Sequence, residues 1–506
     1  MKNKSLLLFS LLTQLAYSQY STTINFNSCS GRLNNSGHFF TDIPNNLPAY
    51  KVGLFTPTKS IYQMNLSTIM KDASNADRFS LTNYSQSDFS WGPIASNYSD
   101  PNYVQRFNKI WKVQKSIILD HIENFDSPGY VFDQNIMEWP GNGNTANGEA
   151  AILAPYEDIN QNGTYDPENG DYPKISGDQA CFLILNDERQ RAVTTGSIST
   201  KTELHIMFYQ FIGTPAISQS TFMNVKAYNR GGETFHDFNL GIFTDFDLGN
   251  FNDDFMGTDT DRNLNYVYNG DSFDEDSFGF VNFNSDPPAL GLKSLNKPFH
   301  TNTIFTDYPS SNAGMVNAYK GLNFNGSPIT NSGTPTLLMY TDTLSGGYNE
   351  VGLNHPVGDR KSFTTVEGGN FAPNDYKCFD FVIAYGNIND SFTRFRDVNA
   401  LMLAADELQN LYDDSLSCSD GHLSTNNDFQ LQNPVSIYPN PANDFITIES
   451  HELLLGISVY TLDGRLVLTQ DEETSSSHLD VSQLSHGNYL IHVQTKSGTV
   501  TLQLSK

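Results

Sequence analysis

Short runs in which apolar and polar residues alternate, broken by Gly, Asn, Asp and Pro, recur along most of this 506-residue chain. Successive side chains of a strand point to opposite faces, so a period of two marks a half-buried sheet. Residues 180–185, 204–212, 221–228, 239–243, 336–341 and 379–385 accordingly predict strands of about 5 to 9 residues. Two segments change to a period near 3.6. Asp100-Pro101 supplies an N-cap and an N1 proline, and Val104, Phe107, Ile110, Trp111, Ile117, Ile118 and Ile122 then recur at helical spacing, which predicts one amphipathic helix. Asp390-Ser391 opens a second, whose apolar face is Phe392, Phe395, Val398, Leu401, Met402, Ala405, Leu408 and Tyr412. The pattern therefore predicts a mainly β protein: a large β-sandwich-like region with a few helices at 19–415, a polar linker at 416–433, and a smaller β-sandwich at 434–506. No tandem repeat is detectable.

The last segment is the most informative. Val435 to Ile448, Ile457 to Leu468 and Leu484 to Val493 alternate, with Asp463-Gly464 between two runs. That pair tolerates the positive φ of a tight hairpin turn, whereas Pro439 and Pro441 lack ladder donors and belong at a strand entry. Such spacing predicts about six or seven strands. With Tyr438-Pro439-Asn440-Pro441, the Asp463-Gly464-Arg465 turn, the Leu-x-x-Gly-x-Tyr run from Leu484 to Tyr489 and Lys506, the segment resembles the type A C-terminal sorting domain of the type IX secretion system. Gln503 departs from the lysine many members carry near the end. The resemblance implies an Ig-like sandwich, a partner in the type IX secretion machinery, and a protein secreted or held at the outer cell surface. More weakly, Trp139-Pro140-Gly141-Asn142-Gly143-Asn144, Leu153 to Tyr156, Gly170-Asp171-Tyr172-Pro173, Tyr266 to Asn269 and Gly358-Asp359-Arg360 resemble uncharacterised exported proteins that share this domain.

The other end of the chain is consistent with export. Lys2 and Lys4 precede an apolar run from Leu6 to Leu15, and Ala16 and Ser18 stand at −3 and −1 before Gln19, which predicts a cleavable signal peptide at 1–18 leading to the periplasm. The run is far shorter than the roughly 20 residues a membrane span needs, and no longer apolar run follows. With 29 basic and 56 acidic residues the net charge is −27, or −29 without the two signal lysines (−27 − 2), which excludes nucleic acid and anionic membranes as natural partners and favours cations. Cys29, Cys181, Cys378 and Cys418 are too few for a disulfide scaffold. An oxidising compartment permits one or two bridges, whose connectivity the sequence leaves open.

Cations direct attention to two places. In Asp158-Ile159-Asn160-Gln161-Asn162-Gly163-Thr164-Tyr165-Asp166, oxygen side chains stand at positions 1, 3, 5 and 9 of a loop with glycine at 6. A hard cation wants six to eight oxygens, and this spacing wraps one ion, with a backbone carbonyl at Thr164 and a carboxylate such as Asp171 completing the shell. Position 12 is Asn169 rather than a bidentate glutamate, and Pro155 and Pro173 exclude EF-hand helices, so the expectation is a helix-free calcium loop, the alternative being a metal-free cluster of Asx turns. The second place is 245–276, where ten acids including Asp245, Asp247, Asp253 and Asp254 face one base, Arg262. So many carboxylates raise one another's pKa unless an ion intervenes.

Catalytic signatures are thin. Glu203-x-His205 and His236-Asp237 lack metalloprotease spacing, and no serine elbow, phosphate loop or Cys-His signature is present. The resulting expectation is a secreted or surface protein, non-catalytic and calcium-stabilised, in a structural, adhesive or glycan- or protein-binding role. The alternative is a secreted polysaccharide-active hydrolase, recognisable by two carboxylates about 5 to 10 Å apart in an aromatic cleft.

Overall fold

The computed structural model describes residues 20–53, 57–189, 196–276, 282–285, 287–342, 347–386, 394–416, 418, 435–461, 465–495 and 498–506. The expected signal peptide at 1–18, the expected turn at Asp463-Gly464, the expected helix start at Asp390-Ser391 and most of the expected linker lie outside them. The chain divides into two compact units, one of Met1–Phe211, Gln219–Asp413 and Ser417–Ser424, the other of Ile212–Ser218, Asp414–Leu416 and Thr425–Lys506.

The larger unit is a sandwich of two antiparallel nine-stranded sheets. In the first, Thr58–Lys71, Phe235–Phe246, Arg360–Phe371 and Phe299–Phe305 lie side by side. In the second, Trp111–Gln114, Gln179–Asn186, Thr202–Gln210, Ser220–Asn229, Tyr376–Gly386, Ala289–Ser294, Leu264–Asn269 and Asp254–Asp259 follow in order. The inner faces share one core, where Phe39 meets Phe208 at 4.9 Å between ring centres and Tyr50 O–H donates to Thr221 Oγ1 at 3.0 Å. Each aromatic so buried contributes about 1.5–3 kcal/mol.

Alternation along Phe235–Phe246 divides its side chains between two faces. Phe238, Leu240, Ile242 and Phe246 enter the core, so Phe243 and Asp245 occupy the outer face. Phe243 and Phe363 there pack under the helix Asn312–Tyr319. Gln179–Asn186 and Thr202–Gln210 are buried at every position, as strands covered on both faces are. Part of their outer cover is Trp111 and Trp139 on Phe182. Elsewhere on that sheet the helix Arg394–Ser415 comes so close that a Cβ at Gly386 would stand 2.2 Å from the Leu401 nitrogen.

Two sequence expectations are corrected. The helix expected over 100–122 is two helices, Pro101–Phe107 and Lys115–Asn124, separated by the strand Trp111–Gln114. Trp111 and Val113 bury against Gln179–Asn186, and sheet pairing overrides the helical spacing. Residues 336–341 form no strand; Thr334–Pro335 pairs with Thr330–Asn331, and Leu338 makes a single parallel bridge to Asn302. The other expected strands are present, each extended at its ends except that Phe211 and Ile212 fall beyond Thr202–Gln210. Cys378 and Cys418 are bonded, while Cys29 and Cys181 are free and buried.

The smaller unit contains a five-stranded antiparallel sheet, Val435–Tyr438, Phe445–Thr461, Leu466–Asp480, Asn488–Thr495 and Gly498–Ser505, rather than six or seven strands. The difference arises because Phe445–Thr461 is one long strand with register shifts between Glu449 and Gly456. Before the shifts it pairs with Val435–Tyr438, after them with Asn488–Thr495. Ile446, Ile448, Ile457, Val459, Ile491 and Val493 form its core, as an Ig-like domain requires.

Candidate metal centre

Asp245 ends the strand Phe235–Phe246, and the two-residue period places Asp247 beside it. Opposite Asp245 across the ladder stands Lys361, and Asp359, two residues earlier, falls on the same face. Among the described residues, Asp245, Asp247 and Asp359 are the one group of three acidic, His or Cys side chains whose ligand atoms all lie within 4.8 Å of one another. Sequence reasoning named the first two and missed Asp359, which arrives from a distant strand. Asp245 is 5 % exposed; its Oδ2 accepts from Tyr84 O–H at 2.5 Å, while Oδ1 accepts no hydrogen bond and has Lys361 Nζ 3.7 Å away. Asp359 Oδ2 accepts from the same Nζ at 2.5 Å, and its Oδ1 is also unpartnered. Burial, opposed by Lys361 and reinforced by Asp359, pushes the Asp245 carboxyl up to about 7. Burial and then its two carboxylate neighbours hold Asp247 well above the ordinary range. Lys361 lies within ion-pair distance of Asp245 and Asp359, and Lys59 is a further positive charge near Asp247.

Asp253 and Asp254 do not join that group. Asp254 is fully buried at the start of Asp254–Asp259; Oδ2 accepts from Leu248 N–H at 3.2 Å and Oδ1 is unpartnered, as is Asp253 Oδ1. Their neighbour is Asp274, which accepts backbone N–H bonds from Asn250 and Phe283. Burial first and Asp274 second push Asp253 to about 7, and burial takes Asp274 to about 6.

The loop at 158–171 brings its expected residues together around hydrogen bonds. Asp158 accepts from the N–H groups of Asn162 and Gly163, and Asp166 from the side-chain amides of Asn160, Asn162 and Asn169. Asn162 Oδ1 accepts from Thr164 N–H, and buried Asp171 accepts from Ile159 and Asp166 N–H. Gly163 takes φ +77°, as the turn demands. For a cation to enter here, amide groups now donating to Asp166 must turn their oxygens inward.

Neither histidine pair belongs to a group of three metal-ligating side chains among the described residues. Buried Glu203 binds His205 Nε2 at 2.8 Å, Arg230 and Ile94 N–H, which outweigh its desolvation and hold it down at about 2. His236 contacts Asn370 and leaves Asp237 aside.

In the smaller unit the motif residues converge. Gly487 and Lys506 exchange two backbone hydrogen bonds, Asn440 Oδ1 accepts from Ser505 N–H at 2.8 Å, and Lys506 Nζ donates to the carbonyls of Asn443 and Val481. The terminal lysine thus knits the Pro-Asn-Pro entry to the Gly-x-Tyr run.

No curated protein matches the chain. Solved structures that resemble it include a polysaccharide lyase, at 12 % identity over 60 % of this chain and 34 % of that one; the TM-score of 0.18 carries no argument about fold or activity. The chain spans about a third of that lyase's length. No helix among the described residues is long and apolar enough to cross a membrane. Residues 436–506 match the family described as the secretion system C-terminal sorting domain, and with that domain the chain is a type IX secretion cargo protein, secreted or displayed at the cell surface.

Proposed function

We propose that the larger unit is a non-catalytic structural, adhesive or binding module, stabilised by calcium and delivered through the periplasm by a signal peptide at 1–18 before its type IX export. The observation that carries this reading is the group Asp245, Asp247 and Asp359, each with a carboxylate oxygen within 4.8 Å of the others, beside a buried Asp245 Oδ1 that accepts no hydrogen bond. Gathering such oxygens without an ion costs desolvation and repulsion, and one divalent cation removes both. Asp253 and Asp254, with Asp274, and the loop of Asp158, Asn160, Asn162, Thr164, Asp166 and Asp171 are the further places where calcium is proposed to bind.

Melting the protein in calcium and in chelator tests this. All three tryptophans, Trp91, Trp111 and Trp139, lie in the larger unit, so their fluorescence follows it alone. An ion that binds only the native state adds about 2.7 kcal/mol at a hundredfold excess over its Kd. Chelation is expected to lower the wild-type midpoint, and to lower it less in Asp245→Asn with Asp359→Asn. An unchanged wild-type midpoint rejects the reading. A shift retained in that variant but lost in Asp158→Ala with Asp166→Ala moves the ion to the loop.

A further inference from the structure

A groove of about 490 Å³ opens between the helix Pro101–Phe107, the segment around Trp139 and the tip of the 158–171 loop. Its volume lies within the roughly 300 to 1,000 Å³ of small-molecule sites. The Trp139-Pro140-Gly141-Asn142-Gly143 run builds it. A Cβ on Gly141 would meet the Tyr165 side chain at 2.6 Å, so the glycine lets the loop close down, and Asn142 then clamps it by accepting from Tyr165 N–H at 2.6 Å and donating to the Gly163 carbonyl at 3.2 Å. Trp139 and Tyr165 are fixed in turn, donating to the Pro155 and Ile136 carbonyls.

Along the lining, Asn102, Gln105 and Thr164 are exposed, and their side chains make no hydrogen bond among the described residues. Met137, 38 % exposed, adds an apolar patch. The charged residues are already matched: Arg106 pairs with Glu149 and Lys109 with Glu138. A phosphate or other strong anion would have to break those pairs. A polyol would not, because each sugar hydroxyl both donates and accepts, as do amide and hydroxyl side chains, and a pyranose presents a C–H face that can pack on an apolar side chain such as Met137. We propose that this groove binds a short, uncharged oligosaccharide, with Asn102, Gln105 and Thr164 as its hydrogen-bonding contacts. The assignment is independent of the cation reading: Thr164 enters that reading only through its carbonyl.

Isothermal titration of the full chain with cellotetraose, mannotetraose, laminaritetraose and tetragalacturonate tests it. One neutral probe is expected to bind, and Asn102→Ala with Gln105→Ala to weaken it at least tenfold, as is Thr164→Val, with melting unchanged because all three side chains are exposed. Failure of every probe to bind more tightly than about 1 mM overturns the proposal. So does binding that the variants leave intact, which puts the sugar elsewhere, and binding of tetragalacturonate alone, which makes the groove an anion site.

Discussion

Replacing Arg360 by methionine isolates the buried ion pair that holds the segment delivering Asp359. Arg360 and Glu350 have side chains only 3 % and 2 % exposed, and Arg360 Nε donates to Glu350 Oε1 at 2.8 Å. The guanidinium also donates to the carbonyls of Pro356 and Asp359, while Glu350 Oε2 keeps a 2.8 Å bond from Met256 N–H. Arg360→Met retains the aliphatic stem but leaves a carboxylate in the interior without its cation. Removing one partner of a buried pair costs about 3–5 kcal/mol, and since two carbonyls also lose a donor, about 4 kcal/mol is expected at pH 8. The pH dependence has a definite sign. Burial already raises the Glu350 pKa against the pull of Arg360, and without Arg360 it rises further. A carboxyl whose folded pKa exceeds its unfolded value favours the folded state at low pH and loses that contribution as pH rises through the folded value. The variant should therefore regain stability as the pH is lowered from 8 to 5. Glu350→Gln added to Arg360→Met should recover part of the loss at pH 8. Denaturant unfolding followed by tryptophan emission measures each variant. A single variant within about 1 kcal/mol of wild type at pH 8, or a double variant no better than the single at both pH values, refutes an uncompensated charge as the cause.

The Cys378–Cys418 bond closes a loop with a sequence separation of 40, for which the chain-entropy relation gives about 4 kcal/mol; reduction, or Cys418→Ser, should lower the midpoint of the larger unit accordingly, and an unchanged midpoint would show the bridge to be energetically idle. Deleting residues 434–506 should leave the larger unit folded but retained inside the cell envelope, as cell fractionation would report; normal appearance of the truncated chain outside the cell would contradict the export role of this unit.

Strand-length apolar runs bounded by Gly, Asn and Asp made the sandwich legible, together with most of its strands, and the acidic run at 245–276 drew attention to Asp245 and Asp247. Trp111 misled because Ile110, Trp111 and Val113 are apolar at positions where a helix face and a buried edge strand look alike. Asp359 was invisible as a ligand because what joins it to Asp245 is the ladder between Phe235–Phe246 and Arg360–Phe371, and pairing partners are not written in local sequence. The loop at Asp158 was legible as a cluster of oxygens. Its internal hydrogen bonds depend on which way each amide faces, which spacing does not encode. The groove left one trace, Gly141 of the Trp139 run, whose reason is the side chain of Tyr165 packed over it.

The pairing of Asp245 with Lys361 has a consequence for folding fidelity. Neither Asp245-Phe246-Asp247 nor Asp359-Arg360-Lys361 can encircle an ion unaided, so the complete ligand set exists only once the two strands have met in register. A slip of one residue in Phe235–Phe246 would turn Asp245 and Asp247 toward the apolar interior, away from Asp359 and Lys361, and carry Phe246 to the outer face. An ion at this site would thus reward one alignment of the sheet and none of its neighbours, acting as a proofreader of strand register.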